Sequence, residues 1–154
     1  MEQQFPKHPF RTHGGAPVPH HKNTWNAPTA VLPPPERVII PMQQHIGAPC
    51  KPTVKKGDHV YLGQVIGDSE AFVCAPIHAS VSGTVQLVTK VLLTGGQPTE
   101  AVVIESDGQM EADPAIAPPP PITNKKELAE AARKSGLVGL GGAGFPAHVK
   151  LNVP

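Results

Sequence analysis

The chain has 154 residues, including 20 proline and 15 glycine, but only four Phe, one Trp and one Tyr. Thirteen Lys and Arg residues against 12 Asp and Glu residues give a net charge of +1, which excludes the strongly basic balance typical of nucleic-acid-binding proteins. This composition predicts a loop-rich protein whose core is built from Val, Ile, Leu and Ala. The first residues lack the apolar run of a secretory signal, so the two cysteines are expected to be free thiols in a reducing compartment.

Residues 1–35 are predicted to form an extended arm, because their many prolines interrupt every helical or strand period. The arm carries half of the eight histidines, namely His8, His13, His20 and His21. Such a cluster would allow a metal site. A mobile or surface-draped arm without a metal is the simpler interpretation.

Residues 36–108 read as short strands separated by glycine turns, which is typical of a compact barrel or sandwich. Strands are predicted at 37–41, 52–54, 59–62, 64–66, 72–77, 79–83, 84–89 and 101–105. Cys74 lies in an apolar stretch and is expected to be a small core residue. Cys50 follows Pro49 and is expected to lie exposed in a loop. Structural rather than ligand roles are expected for His45, His59 and His78.

Residues 109–123 contain four consecutive prolines and are predicted to be a semi-rigid linker that marks a domain boundary. A helix is predicted over 124–135. Asn124 is a favourable N-cap, Glu127 sits at the third helical position, and Gly136 fits the position after the C-cap. One apolar face is expected, formed by Leu128, Ala131 and Ala132.

Two segments, 54–66 and 75–85, resemble the two halves of the biotinyl and lipoyl carrier domains. Carriers attach their cofactor to a lysine at an exposed hairpin tip. The corresponding tip falls here around 70–74, and no lysine occurs between Lys56 and Lys90. The sequence therefore predicts the carrier fold without lipoate or biotin.

Residues 139–144 read GLGGAG and match the pattern G-x-G-x-x-G, with Lys150 six residues further on. Glycine-rich loops expose backbone N–H groups to phosphate, but a lone match of this kind is a weak signal. Only a short apolar stretch precedes the loop, where a dinucleotide fold would have a strand. On local grounds, a flexible glycine turn and a phosphate loop both remain open.

The longer string 139–146, GLGGAGFP, together with Lys150, resembles the flavin-binding loop in the NADH-oxidising subunit of respiratory complex I. The resemblance implies that FMN is held, mainly at its phosphate, by Gly139, Gly141, Gly142, Gly144 and Lys150. Two departures are Leu140, where that subunit has an arginine, and residues 147–148, where a Thr-Gly pair is common.

A carrier-like domain without its lysine, placed before this loop, resembles the C subunit of the Rnf ion-translocating electron-transport complex. The most specific phrases are QHIGAP at 44–49, APIHASVSGTV at 75–85 and GLVGLGGAGFP at 136–146. The resemblance implies a mainly β barrel-sandwich hybrid over 36–108. The linker at 109–123 would follow, and then, at 124–154, one helix and the start of an α/β nucleotide-binding domain.

The resemblance also implies a peripheral subunit on the cytoplasmic side of the inner membrane, in contact with other subunits of the complex. That complex passes electrons between NAD(H), flavin, iron–sulfur centres and ferredoxin while pumping Na⁺ or H⁺. The FMN and NADH site would be partial here, and the 4Fe-4S clusters would lie outside this chain. No catalytic or metal-ligating residue is expected in the chain itself.

The chain is accordingly expected to be the N-terminal portion of a longer protein, and to bind FMN poorly by itself. The alternative is a docking or scaffold domain of lipoyl-like fold with no cofactor.

Overall fold

A computed structural model describes residues 19 and 21–152, which fall in two compact units, 1–32 and 33–154. The described part of the first unit contains a turn over residues 23–26. The N–H of Trp25 donates to the carbonyl of Lys22 at 3.2 Å, and the Lys22 ammonium lies 5.0 Å from the centre of the Trp25 ring. Most of the predicted arm, with three of its four histidines, lies outside the described residues.

The described residues of the second unit, 33–152, form seven strands and two helices. Their bounds are β1 (Arg37–Pro41), β2 (Lys51–Pro52), β3 (His59–Val60), β4 (Val65–Asp68), β5 (Ile77–His78), β6 (Gly83–Leu92), β7 (Pro98–Ser106), α1 (Lys125–Lys134) and α2 (Ala147–Leu151). The strands form two antiparallel sheets, with the orders β1-β7-β6-β3 and β2-β4-β5. The two sheets enclose one core. The predicted mainly β architecture is therefore present.

The core consists mainly of valine, isoleucine and smaller apolar side chains, as the composition predicts, together with Met42. Its largest fully buried members are Met42, Val60, Ile66, Val81, Val85, Val102 and Ile104. Among the described residues no leucine is buried, so the expected contribution of leucine to the core is wrong.

Three predicted strands match the sequence pattern closely, but others do not form. Strand β1 has the predicted bounds, while β6 and β7 are longer than predicted because they pair with each other along their whole length. Residues 72–76 and 79–82 are not strand. Their backbone groups have other partners: the Val73 carbonyl accepts from the Ala48 N–H at 3.0 Å, and the Ala79 N–H donates to the Gln64 carbonyl at 2.8 Å.

The start of the predicted linker lies against the β domain. The N–H of Leu62 donates to the Glu111 carbonyl at 2.8 Å, and the Asp113 N–H donates back to the Leu62 carbonyl at 2.9 Å. These two bonds hold Leu62 and Ala112 in an isolated parallel bridge. The predicted division of the chain into domains at 36, 109 and 124 stays a prediction.

Helix α1 begins and ends as the sequence predicts. The N–H of Glu127 donates to the Asn124 side chain at 3.0 Å, and the Glu127 carboxylate accepts from the N–H and hydroxyl of Thr123. At the C-terminus, Gly136 has a φ of +64°, a conformation that glycine adopts without strain. The N–H groups of residues 136 and 137 donate to the carbonyls of residues 133 and 132, which is the Schellman pattern.

The buried face of α1 differs from the predicted one by one position. Ala129 and Ala132 are buried, whereas Leu128 is 40% exposed. The helix packs mainly against α2. It is joined to the β domain by Arg133, whose guanidinium donates to the Asp68 carboxylate and to the Ser69 carbonyl, each at 2.8 Å.

Neither of the two described helices is long and apolar enough to cross a membrane.

Candidate functional site

The glycine loop, residues 139–144, connects α1 to α2. Its ends are joined by backbone hydrogen bonds, from the Gly139 N–H to the Phe145 carbonyl at 3.0 Å and from the Ala147 N–H to the Leu137 carbonyl at 2.9 Å. Val138 and Pro146 form an antiparallel bridge at the same place. The loop is therefore a closed hairpin-like turn, followed by the five residues of α2.

The crest of the loop is open. No described atom lies within 4 Å of the position that a Cβ would take at Gly141 or Gly142, and Leu140 is 98% exposed. At the mouth of the loop, the Lys150 ammonium lies 3.7 Å from the Cβ position of Gly139. The structure thus brings the predicted lysine beside Gly139 and leaves Gly141 and Gly142 exposed.

Gly144, the fourth predicted glycine, lies on the opposite side of the loop. It has a φ of +66°, and a Cβ there would lie 3.0 Å from the Gln44 carbonyl and 3.2 Å from the Cα of His45. Only a residue without a side chain fits this contact comfortably. Gly144 thus fixes the loop on the β domain.

His148 is a second anchor of the loop, although in the sequence it stands out only as a departure from a motif. The side chain is 7% exposed, and its Nε2 lies 3.0 Å from the Phe72 carbonyl, to which Nε2–H donates. Its Nδ1 has no hydrogen-bond partner among the described residues. No local sequence pattern could predict this contact, because 76 positions separate His148 from Phe72.

The turn around 70–74, where a carrier domain would present its lysine, is contacted by both helices, while the side chains of Glu70 and Phe72 stay exposed. Arg133 of α1 binds the Ser69 carbonyl and His148 of α2 binds the Phe72 carbonyl. A carrier needs this tip free to swing between active sites. Here the tip serves as the attachment point of the segment that carries the glycine loop.

A buried cluster lies directly beneath Gly144 and consists of His45, Cys50 and Cys74. These residues are 5%, 3% and 0% exposed. The two Sγ atoms are 3.4 Å apart, and the His45 Nε2 lies 3.8 Å from the Cys50 Sγ and 3.7 Å from the Cys74 Sγ. The expectation that Cys50 lies exposed is wrong, because its loop folds inward between β1 and β2. The core position expected for Cys74 is confirmed.

The cluster has a complete hydrogen-bond network as a set of neutral groups. The His45 Nδ1–H donates to the Ile46 carbonyl at 3.2 Å, and the Ala75 N–H donates to Nε2 at 3.1 Å. The Cys50 thiol donates to the Ala75 carbonyl at 3.2 Å. Burial, and next the neighbouring Cys74 thiol, raise the pKa of Cys50 to about 12, so this thiol is protonated at neutral pH.

A third polar group, formed by His59, Ser82 and Asp107, lies at the edge of the larger sheet. The Ser82 hydroxyl donates to Asp107 at 2.7 Å, and the His59 Nε2 lies 3.4 Å from the same carboxylate. Hydrogen bonds from Ser82 and from the Gln109 N–H lower the pKa of Asp107. The serine donates to the carboxylate and not to the histidine, so the histidine is not placed to activate it as a nucleophile.

Comparison with known protein families identifies the family of this chain. Residues 10–109 match the family model described as the RnfC barrel sandwich hybrid domain. The chain belongs to this family. The two sheets of the β domain are therefore a barrel-sandwich hybrid, and the resemblance drawn from the sequence is confirmed.

Similar curated proteins are named as the C subunit of ion-translocating complexes. The chain is 48% identical over 146 residues to the C subunit of the Na⁺-translocating ferredoxin:NAD⁺ oxidoreductase complex of Acetobacterium woodii, covering 92% of this chain and 32% of the relative. It is 46% identical to the proton-translocating counterpart of Clostridium ljungdahlii, over 86% of this chain and 30% of the relative. The chain thus spans about a third of the length of these relatives.

Proposed function

We propose that this RnfC-family chain is the N-terminal part of an electron-transport subunit that passes electrons between NAD(H), flavin and iron–sulfur clusters. The subunit would act in an ion-pumping ferredoxin:NAD oxidoreductase complex, as the names of its relatives suggest. The observation that carries the proposal is the glycine loop, which is open at its crest and held firmly at its base.

The residues of the loop fit the phosphate end of FMN. The exposed backbone at Gly141 and Gly142 leaves room for a close anion, and Lys150 supplies the positive charge beside Gly139. FMN, when bound, accepts a hydride and releases single electrons. The chain's own part is to bind the phosphate through Gly139, Gly141, Gly142 and Lys150. Gly144 and His148 would keep the loop oriented.

The remaining cofactors are assigned to other parts of the assembly. Cys50 and Cys74 are buried beside His45. A 4Fe-4S cluster needs four cysteine ligands. We therefore place the 4Fe-4S clusters outside this chain, and NADH in a site that this chain completes only in part. Neither lipoate nor biotin is expected, because the carrier tip has no lysine and its backbone binds Arg133 and His148 of the two helices.

The β domain would serve as the platform on which the loop is mounted. Its partners would be other subunits of the complex, and ferredoxin would be reached through them. A peripheral position on the cytoplasmic side of the inner membrane fits this role.

The proposal is tested by isolating the protein from its native membranes in mild detergent with an affinity tag. We expect other subunits to copurify and the preparation to reduce NAD⁺ with reduced ferredoxin. In that preparation, Lys150→Ala should weaken FMN binding about 10- to 150-fold, since a hydrogen bond to a charged group is worth about 1.5–3 kcal/mol. Lys90→Ala is the matched control, because Lys90 is an exposed lysine on β6.

An unchanged FMN affinity in Lys150→Ala would contradict the assignment of the loop to the flavin site. Recovery of the protein with its partners but without flavin or NAD⁺ reduction would favour the docking domain instead.

A further inference from the structure

The buried cluster of His45, Cys50 and Cys74 has the geometry of a metal site, although the sequence predicts no metal ligand in this chain. Three side chains, one imidazole and two thiols, of types that bind borderline metals converge here from positions that are 5 and 24 residues apart. All three are at least nine-tenths buried, so solvent does not fill the space between them.

A fourth donor completes the set. The carbonyl oxygen of Ala75 lies 3.1 Å from the His45 Nε2, 3.2 Å from the Cys50 Sγ and 3.8 Å from the Cys74 Sγ. Together with the three distances within the cluster, 3.4, 3.7 and 3.8 Å, these are the six edges of a nearly regular tetrahedron.

The size of this tetrahedron matches Zn²⁺. The centre of a tetrahedron with such edges lies about 2.1–2.2 Å from its corners, close to the roughly 2.0–2.2 Å of zinc bonds to nitrogen or oxygen and the roughly 2.3 Å of zinc–sulfur bonds. Two thiolates and one imidazole are also the ligands that select zinc over Mg²⁺ or Ca²⁺, which prefer oxygen.

The surroundings of His45 are those of a metal ligand. Its Nδ1–H donates to the Ile46 carbonyl at 3.2 Å, which leaves the Nε2 lone pair facing the cluster. Zinc-binding histidines are oriented by this kind of hydrogen bond to a carbonyl. Zinc would take over the Nε2 lone pair from the Ala75 N–H, so one neutral hydrogen bond is exchanged for a metal–nitrogen bond.

We propose that His45, Cys50 and Cys74, with the Ala75 carbonyl, form a closed structural site for one Zn²⁺ ion. On binding, both thiols lose their protons to solvent and two zinc–sulfur bonds form without any change in oxidation state. The two thiolate charges balance the ion, so the buried site is neutral.

The site would tie together the parts of the fold that support the glycine loop. His45 and Cys50 belong to the connection between β1 and β2, and Cys74 belongs to the connection between β4 and β5. Gly144 rests on the backbone of residues 44 and 45. A zinc ion would therefore fix the surface beneath the loop. This inference concerns the β domain and does not depend on the proposed electron-transfer function.

The test uses the full chain, purified without a histidine tag, and measures bound zinc by elemental analysis and native mass spectrometry. We expect one zinc per chain. Replacement of zinc by Co²⁺ should give sulfur-to-cobalt charge-transfer bands and the d–d bands of a tetrahedral site. The histidines of residues 1–35 cannot produce the sulfur bands, so the spectrum separates the two locations.

Cys50→Ser and Cys74→Ser are each expected to weaken zinc binding at least about 100-fold and to remove the sulfur-to-cobalt bands. The control is His59→Gln, which changes a histidine outside the cluster and should leave both unchanged. If the serine variants do not fold, the cobalt spectrum of the unmodified chain decides the question by itself.

Two results would overturn the proposal. One is a chain that binds no zinc or cobalt while two free thiols are titrated after denaturation. The other is a chain that is lighter by two hydrogens, since a disulfide between Cys50 and Cys74 would then occupy the cluster.

Discussion

The buried cluster and the glycine loop are neighbours, yet they differ in almost every physical respect. His45, Cys50 and Cys74 are buried and fully hydrogen-bonded, and they are assembled from distant parts of the sequence. The crest of the loop, at Gly141 and Gly142, is exposed and comes from one short stretch. A buried cluster of this kind can stabilise the fold, whereas an exposed loop is accessible to a ligand.

The largest effect is expected in the closed region, at Gly47. Its φ is +115°, and a Cβ there would lie 2.1 Å from the carbonyl oxygen of Val73. Gly47→Ala should lower the free energy of unfolding, measured by urea denaturation, by more than about 3 kcal/mol. The backbone at Gly47 or Val73 would have to move to admit the new methyl group. Gly57→Ala is the matched control: its φ is +92°, but nothing lies within 4 Å. That variant should lose about 1–2 kcal/mol. Equal losses in the two variants would show that the contact with Val73 is not tight.

A smaller loss is expected where α1 joins the β domain. Arg133→Ala removes the bonds to the Asp68 carboxylate and the Ser69 carbonyl. Because the side chains of this ion pair are 31% and 37% exposed, the expected loss is about 1–2 kcal/mol. Lys126→Ala removes only the 4.0 Å contact with Glu130 on the exposed face and should cost less than about 0.5 kcal/mol. A loss in Lys126→Ala as large as in Arg133→Ala would contradict this assignment.

Acid sensitivity is expected from Asp107. Hydrogen bonds from Ser82 and Gln109 hold its pKa below the ordinary 3.8, so its stabilising effect is present above that value and is lost as the pH falls through the lower, folded-state pKa. Thermal unfolding between about pH 2 and 6 should show a shallower acid loss in Asp107→Asn than in the unmodified chain. Glu111→Gln should retain the full slope. An identical slope in Asp107→Asn would mean that other carboxylates control the acid transition.

The smallest effect on stability is expected in the open region. Gly142→Ala should change the free energy of unfolding by less than about 0.5 kcal/mol, because its φ is not positive and its Cβ position is empty. In the complex isolated from membranes, the same variant should bind FMN more weakly, since the added methyl group would face the proposed phosphate position. Calorimetry and flavin fluorescence measure the two quantities. A Gly142→Ala variant that is destabilised but binds FMN normally would show that the loop crest contributes to stability and not to ligand binding.

Sequence reasoning succeeded where the controlling interactions are local. The start and end of α1 follow from Asn124, Glu127 and Gly136, whose contacts span only a few residues. The buried face of α1 did not follow, because it depends on tertiary packing, mainly against α2, which buries Ala129 and leaves Leu128 exposed. The predicted loop and lysine also lie together, since they are nearly adjacent in the chain.

The buried cluster could not be predicted in this way. Cys50 follows a proline and reads as a loop residue, and its burial depends on contacts with Cys74 and Ala75 across the fold. The predicted strand at 72–77 failed for the same reason. Its N–H and carbonyl groups bind His45, Ala48 and His148 and are not available to a neighbouring strand. Long-range partners of this kind leave no periodic trace in the sequence.

The pairing of β1 with β7 determines how the β domain responds to a pulling force. Arg37 lies opposite Glu105, so the strands enter and leave the barrel-sandwich hybrid side by side. Tension applied through the flanking segments would load the β1–β7 hydrogen bonds one after another, as in a zipper, and not all at once in shear. The domain should therefore open from this edge at low force, while the longer β6–β7 ribbon remains folded.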